Sequence, residues 1–253
     1  MAEKGEYTYE YPRAALTADI VAFRIEKGVL KVLLIQRGGN PYRGMWALPG
    51  GFMEINETIE ECARRELYEE TGIRDVYMDQ FRMFSSVYRD PRGRVVSMAF
   101  VALLRPDENE VAAGDDAAAA RWFDVDKLPQ LAFDHSAVIR GAREHLAEML
   151  RLHPVAFRLV GLRFTLDDVR RVYEIVYRRN YDRRNFSRKL LQTGMIEPTS
   201  LPLIEHNPDS PDTDHHTDHR TRHYFYRPIQ SSDDSDDEES DGSLKDMFNF
   251  LKA

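Results

Sequence analysis

Cysteine is almost missing from this chain: Cys62 is the single one in 253 residues. One thiol cannot close an internal disulfide, which points to a reducing compartment. The opening residues, 1–13, are charged and lack the apolar segment of an export signal. No apolar run approaches the roughly 20 residues that cross a bilayer, so no membrane partner is expected. Internal repeats are also lacking, which argues against solenoids and propellers. The expectation is a cytoplasmic protein.

What is present is a 42% hydrophobic share with 13 Phe and 12 Tyr, enough for a sizeable core and a length comfortable for two domains. The formal charge of −8 is unevenly placed. Residues 204–253 hold 13 of the 43 acidic and 5 of the 35 basic side chains, leaving 30 of each in 1–203. Overall acidity therefore belongs to the tail and does not exclude an anionic ligand on the body.

Residues 15–25 and 30–37 read as buried strands around a turn at Gly28, and 44–52 as a third strand running into a glycine turn. Asn56 is the expected N-cap of the next helix, and Gly72 stands where a left-handed C-terminal residue belongs. A strand near 75–86, a turn at 90–93, strands at 95–104 and 121–125 and an amphipathic helix at 135–151 follow. This order predicts an α/β (α+β) sandwich. Beyond residue 155, helices are expected at 164–179, capped by Thr165, and at 181–196. A hairpin of 200–204 with 223–229 would complete a winged-helix outline. Residues 231–241 hold seven acids in eleven positions and nothing apolar, the composition of a disordered tail.

The segment 51–73 fits G-x5-E-x7-R-E-U-x-E-E-x-G-U, with U aliphatic, at Gly51, Glu57, Arg65, Glu66, Leu67, Glu69, Glu70, Gly72 and Ile73. A chance match in this length is on the order of 1 in 10⁷ at average residue usage. The spacing has a physical sense of its own. Glu66, Glu69 and Glu70 lie at i, i+3 and i+4, so a helix stacks three carboxylates on one face. Hard divalent cations resolve that repulsion, and Mg²⁺ is the usual choice beside phosphates, with Mn²⁺ as the alternative. Arg65 reaches Glu69 and Glu57 and would hold the acidic face in order. Ile59, Ala63 and Leu67 supply the apolar stripe, and the Gly50-Gly51 pair lets backbone approach the metal. The competing reading of such a cluster is a solvated acidic helix with internal salt bridges.

The full pattern resembles the box of the Nudix hydrolases. The resemblance implies an α/β/α Nudix sandwich over 14–153, after a lead-in at 1–13, and a metal held by Glu66, Glu69, Glu70 and Gly51. It gives Glu69 as a third ligand or as the base for the attacking water, Arg65 as its catalytic partner, and cleavage of a nucleoside diphosphate linked to another group. Asp115 and Asp116 are the other candidates for the base, with ordinary turn residues as the competing reading.

The flanking segments 15–25, 33–52, 88–100, 113–123 and 131–135 resemble a subgroup associated with ADP-ribose. That subgroup comprises ADP-ribose pyrophosphatases and Nudix-related transcriptional regulators of NAD metabolism. Arg37, Arg43 and Arg89 are candidate phosphate contacts, Phe52 and Phe133 candidate stacking partners for adenine, and His135 reads as a satisfied helix start. Residues 182–199 resemble the winged helix of the regulators, giving a second domain at 154–230 and a disordered acidic tail at 231–253. Nine Arg or Lys against four acids in 163–189 make a basic helix pair. Arg183, Arg184, Asn185, Arg188 and Lys189 open its second member, where a recognition helix meets duplex DNA. Two functions stay open: a hydrolase acting on ADP-ribose to give AMP and ribose 5-phosphate, and an ADP-ribose-responsive DNA-binding regulator, in either case as a homodimer. The spaced histidines His215, His219 and His223 are not assigned a site.

Overall fold

The computed structural model describes residues 10–106, 117–199 and 222–227. Asp115, Asp116, the segment 200–204, His215, His219 and the tail 231–253 lie outside the described residues. The long strand β1 (Ala15–Glu26) is the axis of a seven-stranded mixed sheet. It pairs in parallel with β6 (Val95–Leu103), and antiparallel with β2 (Val29–Arg37) and β4 (Gly50–Phe52). The other members are β3 (Trp46–Ala47), β5 (Tyr77–Phe84) and β7 (Ala117–Asp124). The third predicted strand is thus two short ones, because the Leu48-Pro49 link and the positive φ of Gly50 break it.

Alternation along β1 sorts its side chains to two faces. Ala18, Ile20 and Ala22 pack with Cys62, Ala63 and Leu67 of helix α1 (Ile59–Thr71). Val21 and Phe23 pack on the other face with Val138, Ala142 and Leu146 of helix α2 (His135–Leu152). The result is an α/β/α sandwich, as the resemblance to the Nudix hydrolases implies. The N-cap of α1 is Thr58, not Asn56. Its side chain accepts from the Glu61 N–H at 3.2 Å while Glu61 accepts from the Thr58 N–H at 2.7 Å. This reciprocal pair satisfies two orphan donors, which a lone Asn two residues earlier cannot do. Gly72 closes the helix at φ 75°.

A 3₁₀ turn (Val155–Arg158) leads to helix α3 (Leu166–Tyr177), capped by Thr165, and helix α4 (Arg183–Gln192). Strand β8 (Ile196–Pro198) pairs with β9 (Tyr224–Tyr226) to form the wing. Its first strand lies a few residues before the expected 200–204, directly after Gly194, whose left-handed φ of 69° turns the chain out of α4. The apolar core runs without a break from Val21 through α2 to Val172, Phe186 and Tyr224. Two tyrosines of α3 tie it to the C-terminal end of α2. Tyr177 Oη donates to the Ala147 carbonyl at 2.6 Å and Tyr173 Oη to that of Leu150 at 3.4 Å. Among the described residues no helix is long and apolar enough to cross a membrane.

Thr58→Ala is expected to destabilise the protein by about 1 kcal/mol, the usual loss for a capping hydroxyl. Asn56→Ala is expected to leave the denaturation midpoint in place; a larger effect at Asn56 than at Thr58 contradicts the assignment.

Candidate active site

Helix α1 presents its carboxylates to the Gly50-Gly51 turn of β4. A Cβ on Gly51 would lie 2.3 Å from Glu66 Oε1, so the Glu66 carboxylate fills the space a side chain would need. A Cβ on Gly50 would lie 2.1 Å from the Ala18 carbonyl, and its φ of 148° suits glycine alone. The Gly50 N–H donates to Glu70 Oε2 at 2.9 Å. Both glycines are therefore demanded by close approach.

Arg65 organises the acids with its whole fork. Nε and Nη2 donate to the two Glu57 oxygens at 2.9 and 2.7 Å, and Nη1 reaches Glu66 at 2.7 Å and Glu69 at 3.0 Å. Nη2 also donates to the Phe52 carbonyl at 3.2 Å, stitching α1 to β4. Hydrogen bonding from Arg65 holds the Glu57 carboxyl down to about 2. Burial pushes the Glu66 carboxyl up, against the pull of Arg65, and the neighbouring Glu69 and Glu57 charges push it further. A buried carboxylate crowded by like charges is a group that gains from a divalent cation.

The donor set fits such a cation only in part as it stands. Among the described residues, no three acidic, histidine or cysteine side chains converge ready-made on one point. Glu66 and Glu70 face the glycine turn, whereas Glu69 is half exposed and turned to Arg65. The sheet register bears on the backbone donor. Ile20 N–H donates to the Pro49 carbonyl and Met53 N–H to that of Leu16, so alternation places Ala18 and Gly51 in the same bonded class. The Gly51 carbonyl is thereby turned to β1 and to Cys62 Sγ at 3.9 Å. Gly50, one residue away, faces the acids instead.

Beside this turn lies a cleft lined by Thr17, Arg37, Phe52, Arg92, Phe133 and His135, among others. Two cations share its aromatic wall. The Arg37 guanidinium lies 4.8 Å from the Phe133 ring centre, and that of Arg92 lies 4.7 Å from Phe52 and 5.6 Å from Phe133. Burial and then the Arg92 charge lower the Arg37 pKa. Two guanidiniums on one wall favour an anion, while Asp90 on the same cleft already pairs with Arg92 at 2.6 Å. The cleft floor is a buried polar network. Arg89 donates to Asp19 at 2.7 Å and to both Asp134 oxygens at 2.8 and 3.1 Å, and Ser97 donates to Asp19 at 2.7 Å. His135 is buried and accepts the Leu48 N–H on Nδ1 at 2.8 Å; burial lowers its pKa.

Of the residues singled out in the sequence, Arg37, Phe52 and Phe133 are brought together in this cleft. Arg43 is not: it is exposed in the turn before Gly44 and lines no part of the cleft. Arg89 is 8% exposed and committed to two aspartates, so it braces the floor rather than offering charge to an anion. Sequence reasoning missed Arg92, Asp19, Asp134 and Thr17. The run Arg89, Asp90, Arg92, Arg94 held a signal for Arg92, but only the structure separates the arginine that looks inward from the one that looks into the cleft.

On α4, Phe186 and Leu190 are buried while Arg183, Arg184, Asn185 and Arg188 are exposed and Lys189 is half-buried. Asp182 caps the helix through the Asn185 N–H at 2.8 Å, and the Asn185 side chain accepts from Arg188 at 2.8 Å. The exposed face of α4 is basic, with Arg183 3.5 Å from Asp167 of α3.

Residues 14–142 match the NUDIX domain family, and 156–201 match the NrtR DNA-binding winged helix domain. The chain belongs to the Nudix hydrolase family. It is 31% identical over 201 residues to the ADPR responsive transcriptional repressor NtrR of Acinetobacter baylyi, covering 77% of this chain and 79% of that one. Over 110 residues it is 48% identical to the ADP-ribose pyrophosphatase of Methanocaldococcus jannaschii, covering 44% of this chain and 64% of that one. The solved Shewanella oneidensis NrtR complexed with a 27mer DNA superposes with a TM-score of 0.68 at 28% identity, covering 84% of this chain and 93% of that one. The Nudix and winged-helix parts expected from the sequence are thus both present.

The Glu57–Arg65 pair sets an acid limit. A carboxyl depressed in the fold contributes stability above its unfolded value of about 4.3, and that contribution is lost as pH falls towards about 2. Wild type is expected to melt above Glu57→Gln at pH 6 and to approach it near pH 2.5. A constant gap across that range contradicts the account.

Proposed function

We propose that the chain is a Mg²⁺-dependent pyrophosphohydrolase whose preferred substrate is ADP-ribose, with Mn²⁺ as an alternative ion. The observation that carries the reading is the placement of the Glu66–Glu70 face and the Gly50-Gly51 turn beside a cleft bearing Arg37 and Arg92. Carboxylates for a cation and guanidiniums for phosphate oxygens adjoin each other. Glu66 and Glu70, with Glu69 and backbone of the Gly50-Gly51 turn, are the groups that would hold the ion. A bound divalent ion neutralises phosphate charge and lowers the pKa of a ligated water.

The chain's own residues supply the rest. Arg65 is a positioning residue that keeps Glu57, Glu66 and Glu69 in one array. Arg37 and Arg92 bind and orient the diphosphate, and Phe52 and Phe133 give flat apolar surface for a base. Glu69, exposed and held at one oxygen only by Arg65, takes the proton from the attacking water. One P–O bond of the anhydride breaks as the water oxygen joins that phosphorus, leaving AMP and ribose 5-phosphate. The substrate assignment rests on the named relatives, an ADPR responsive repressor and an ADP-ribose pyrophosphatase.

A second reading is favoured by the exposed cations of α4 on a winged helix of the NrtR type. In it a homodimer sets two recognition helices on DNA half-sites about one helical turn or a multiple apart, and ADP-ribose shifts the affinity. The two readings are compatible, since the Nudix box is intact at every specified position.

Glu70→Gln is expected to lower turnover of ADP-ribose by at least about 10²-fold, the scale of losing a key electrostatic group. Full turnover in EDTA, or in this variant, contradicts the mechanism. In a panel of ADP-ribose, NADH, diadenosine polyphosphates, nucleoside triphosphates and sugar nucleotides, ADP-ribose is expected to lead. A clear preference for triphosphates overturns the substrate and spares the chemistry. Replacing Arg183 and Arg184 by Ala is expected to weaken duplex binding and flatten its salt dependence without changing hydrolysis. Salt-independent binding, or none, removes the second reading.

A further inference from the structure

Thr17 stands on the β1 face shared by Asp19 and Val21, the one turned to α2. It lines the cleft beside Phe52, its register partner on β4. The residue is 6% exposed, and its Oγ1 is buried with no hydrogen-bond partner. The hydroxyl beside it in the parallel register, Ser97 Oγ, is already committed to Asp19. Asp19 in turn accepts from Arg89 Nη2, and Nε and Nη2 of Arg89 also donate to Asp134. The polar network that satisfies the rest of the cleft floor therefore stops short of Thr17.

An unpartnered buried hydroxyl weakens a fold, and a valine of the same shape would avoid the cost. Groups left unsatisfied in a free protein are often those its ligand completes. The same cleft carries the guanidiniums of Arg37 and Arg92 over one Phe133 ring, with Arg92 paired to Asp90 at 2.6 Å and Arg37 Nε donating to the Pro41 carbonyl at 2.8 Å. An anion seated there meets the Arg37 charge, which no carboxylate pairs at salt-bridge distance among the described residues, and its oxygens accept from the hydroxyl.

We infer that Thr17 is a specificity-determining residue whose hydroxyl donates to an oxygen of the diphosphate lying between Arg37 and Arg92. This rests on the cleft being the diphosphate site proposed above, and it adds a neutral donor that distinguishes a correctly seated anhydride from a merely anionic ligand. The donor sits on a rigid central strand, so it reports position rather than charge.

The test uses the full chain as wild type, Thr17→Val and Thr17→Ser, in EDTA so that nothing is hydrolysed. Melting is followed without ligand, and binding of ADP-ribose and of inorganic pyrophosphate is measured by calorimetry. Thr17→Val is expected to melt above wild type when free, and to bind both ligands about 10- to 100-fold more weakly, the scale of a lost hydrogen bond to a charged group. Thr17→Ser is expected to bind within a few-fold of wild type. A valine variant that melts lower and binds as wild type assigns the hydroxyl to the fold and overturns the inference. One that melts higher and binds unchanged overturns it as well. Wild-type protein that binds neither ligand overturns the diphosphate reading of the cleft together with the role of Thr17, an outcome distinct from both.

Discussion

The guanidinium of Arg65 is the interaction on which the site depends. Helix α1 carries Glu66, Glu69 and Glu70 within little more than one turn, with Glu57 just ahead of its cap, and such crowding opposes the helix that creates it. One fork of five donors answers three of these acids and the Phe52 carbonyl at 2.7–3.2 Å. A lysine has no such reach, being a single point of charge. Because Arg65 also grips β4, the carboxylates are fixed relative to the glycine turn and not merely to each other. The repulsion left over falls on Glu66, whose carboxyl is pushed up by burial and by the neighbouring Glu69 and Glu57 charges. A divalent cation beside Glu66 and Glu70 would then complete the charge balance that the fold leaves open.

A separate chain of contacts connects the cleft to the winged helix. Asp134 and His135 at the start of α2 belong to the cleft floor, while the carbonyls of Ala147 and Leu150 near its end receive the hydroxyls of Tyr177 and Tyr173. Arg178 at the end of α3 and Arg143 of α2 both pair with Asp126. An event that moves Asp134 thus acts on a helix to which the winged helix is bolted. The continuous apolar core between the two parts makes independent motion of either one costly.

Much of this was legible in the sequence where local chemistry decides structure. The i, i+3 and i+4 spacing of the box put Glu66, Glu69 and Glu70 on one helix face, and Gly72 ended that helix as expected, whereas Glu57 stands just before the cap. The cap was misplaced by two residues, since Asn56 looks sufficient alone and only the reciprocal bonds of Thr58 and Glu61 decide against it. The cleft was hardest to read. Arg37, Arg43, Arg89 and Arg92 are alike as letters, yet Arg89 is consumed by Asp19, 70 residues away, and Asp134, 45 away. Arg43 turns to solvent, and Arg37 and Arg92 share an aromatic wall. Such long-range pairings, like the orphaned hydroxyl of Thr17, have no local signature.

The central claim is that Glu66 and Glu70 hold a divalent cation against a turn that only glycine permits. Titrating Mn²⁺ into the full chain, followed by electron paramagnetic resonance, measures this directly. Gly51→Ala places a methyl where Glu66 Oε1 lies 2.3 Å from the Cβ position. The variant is expected to bind Mn²⁺ at least about tenfold more weakly, equivalent to about 1.4 kcal/mol, with its helix content retained because the cap at Thr58 is untouched. Mn²⁺ binding by Gly51→Ala equal to that of wild type would contradict the account.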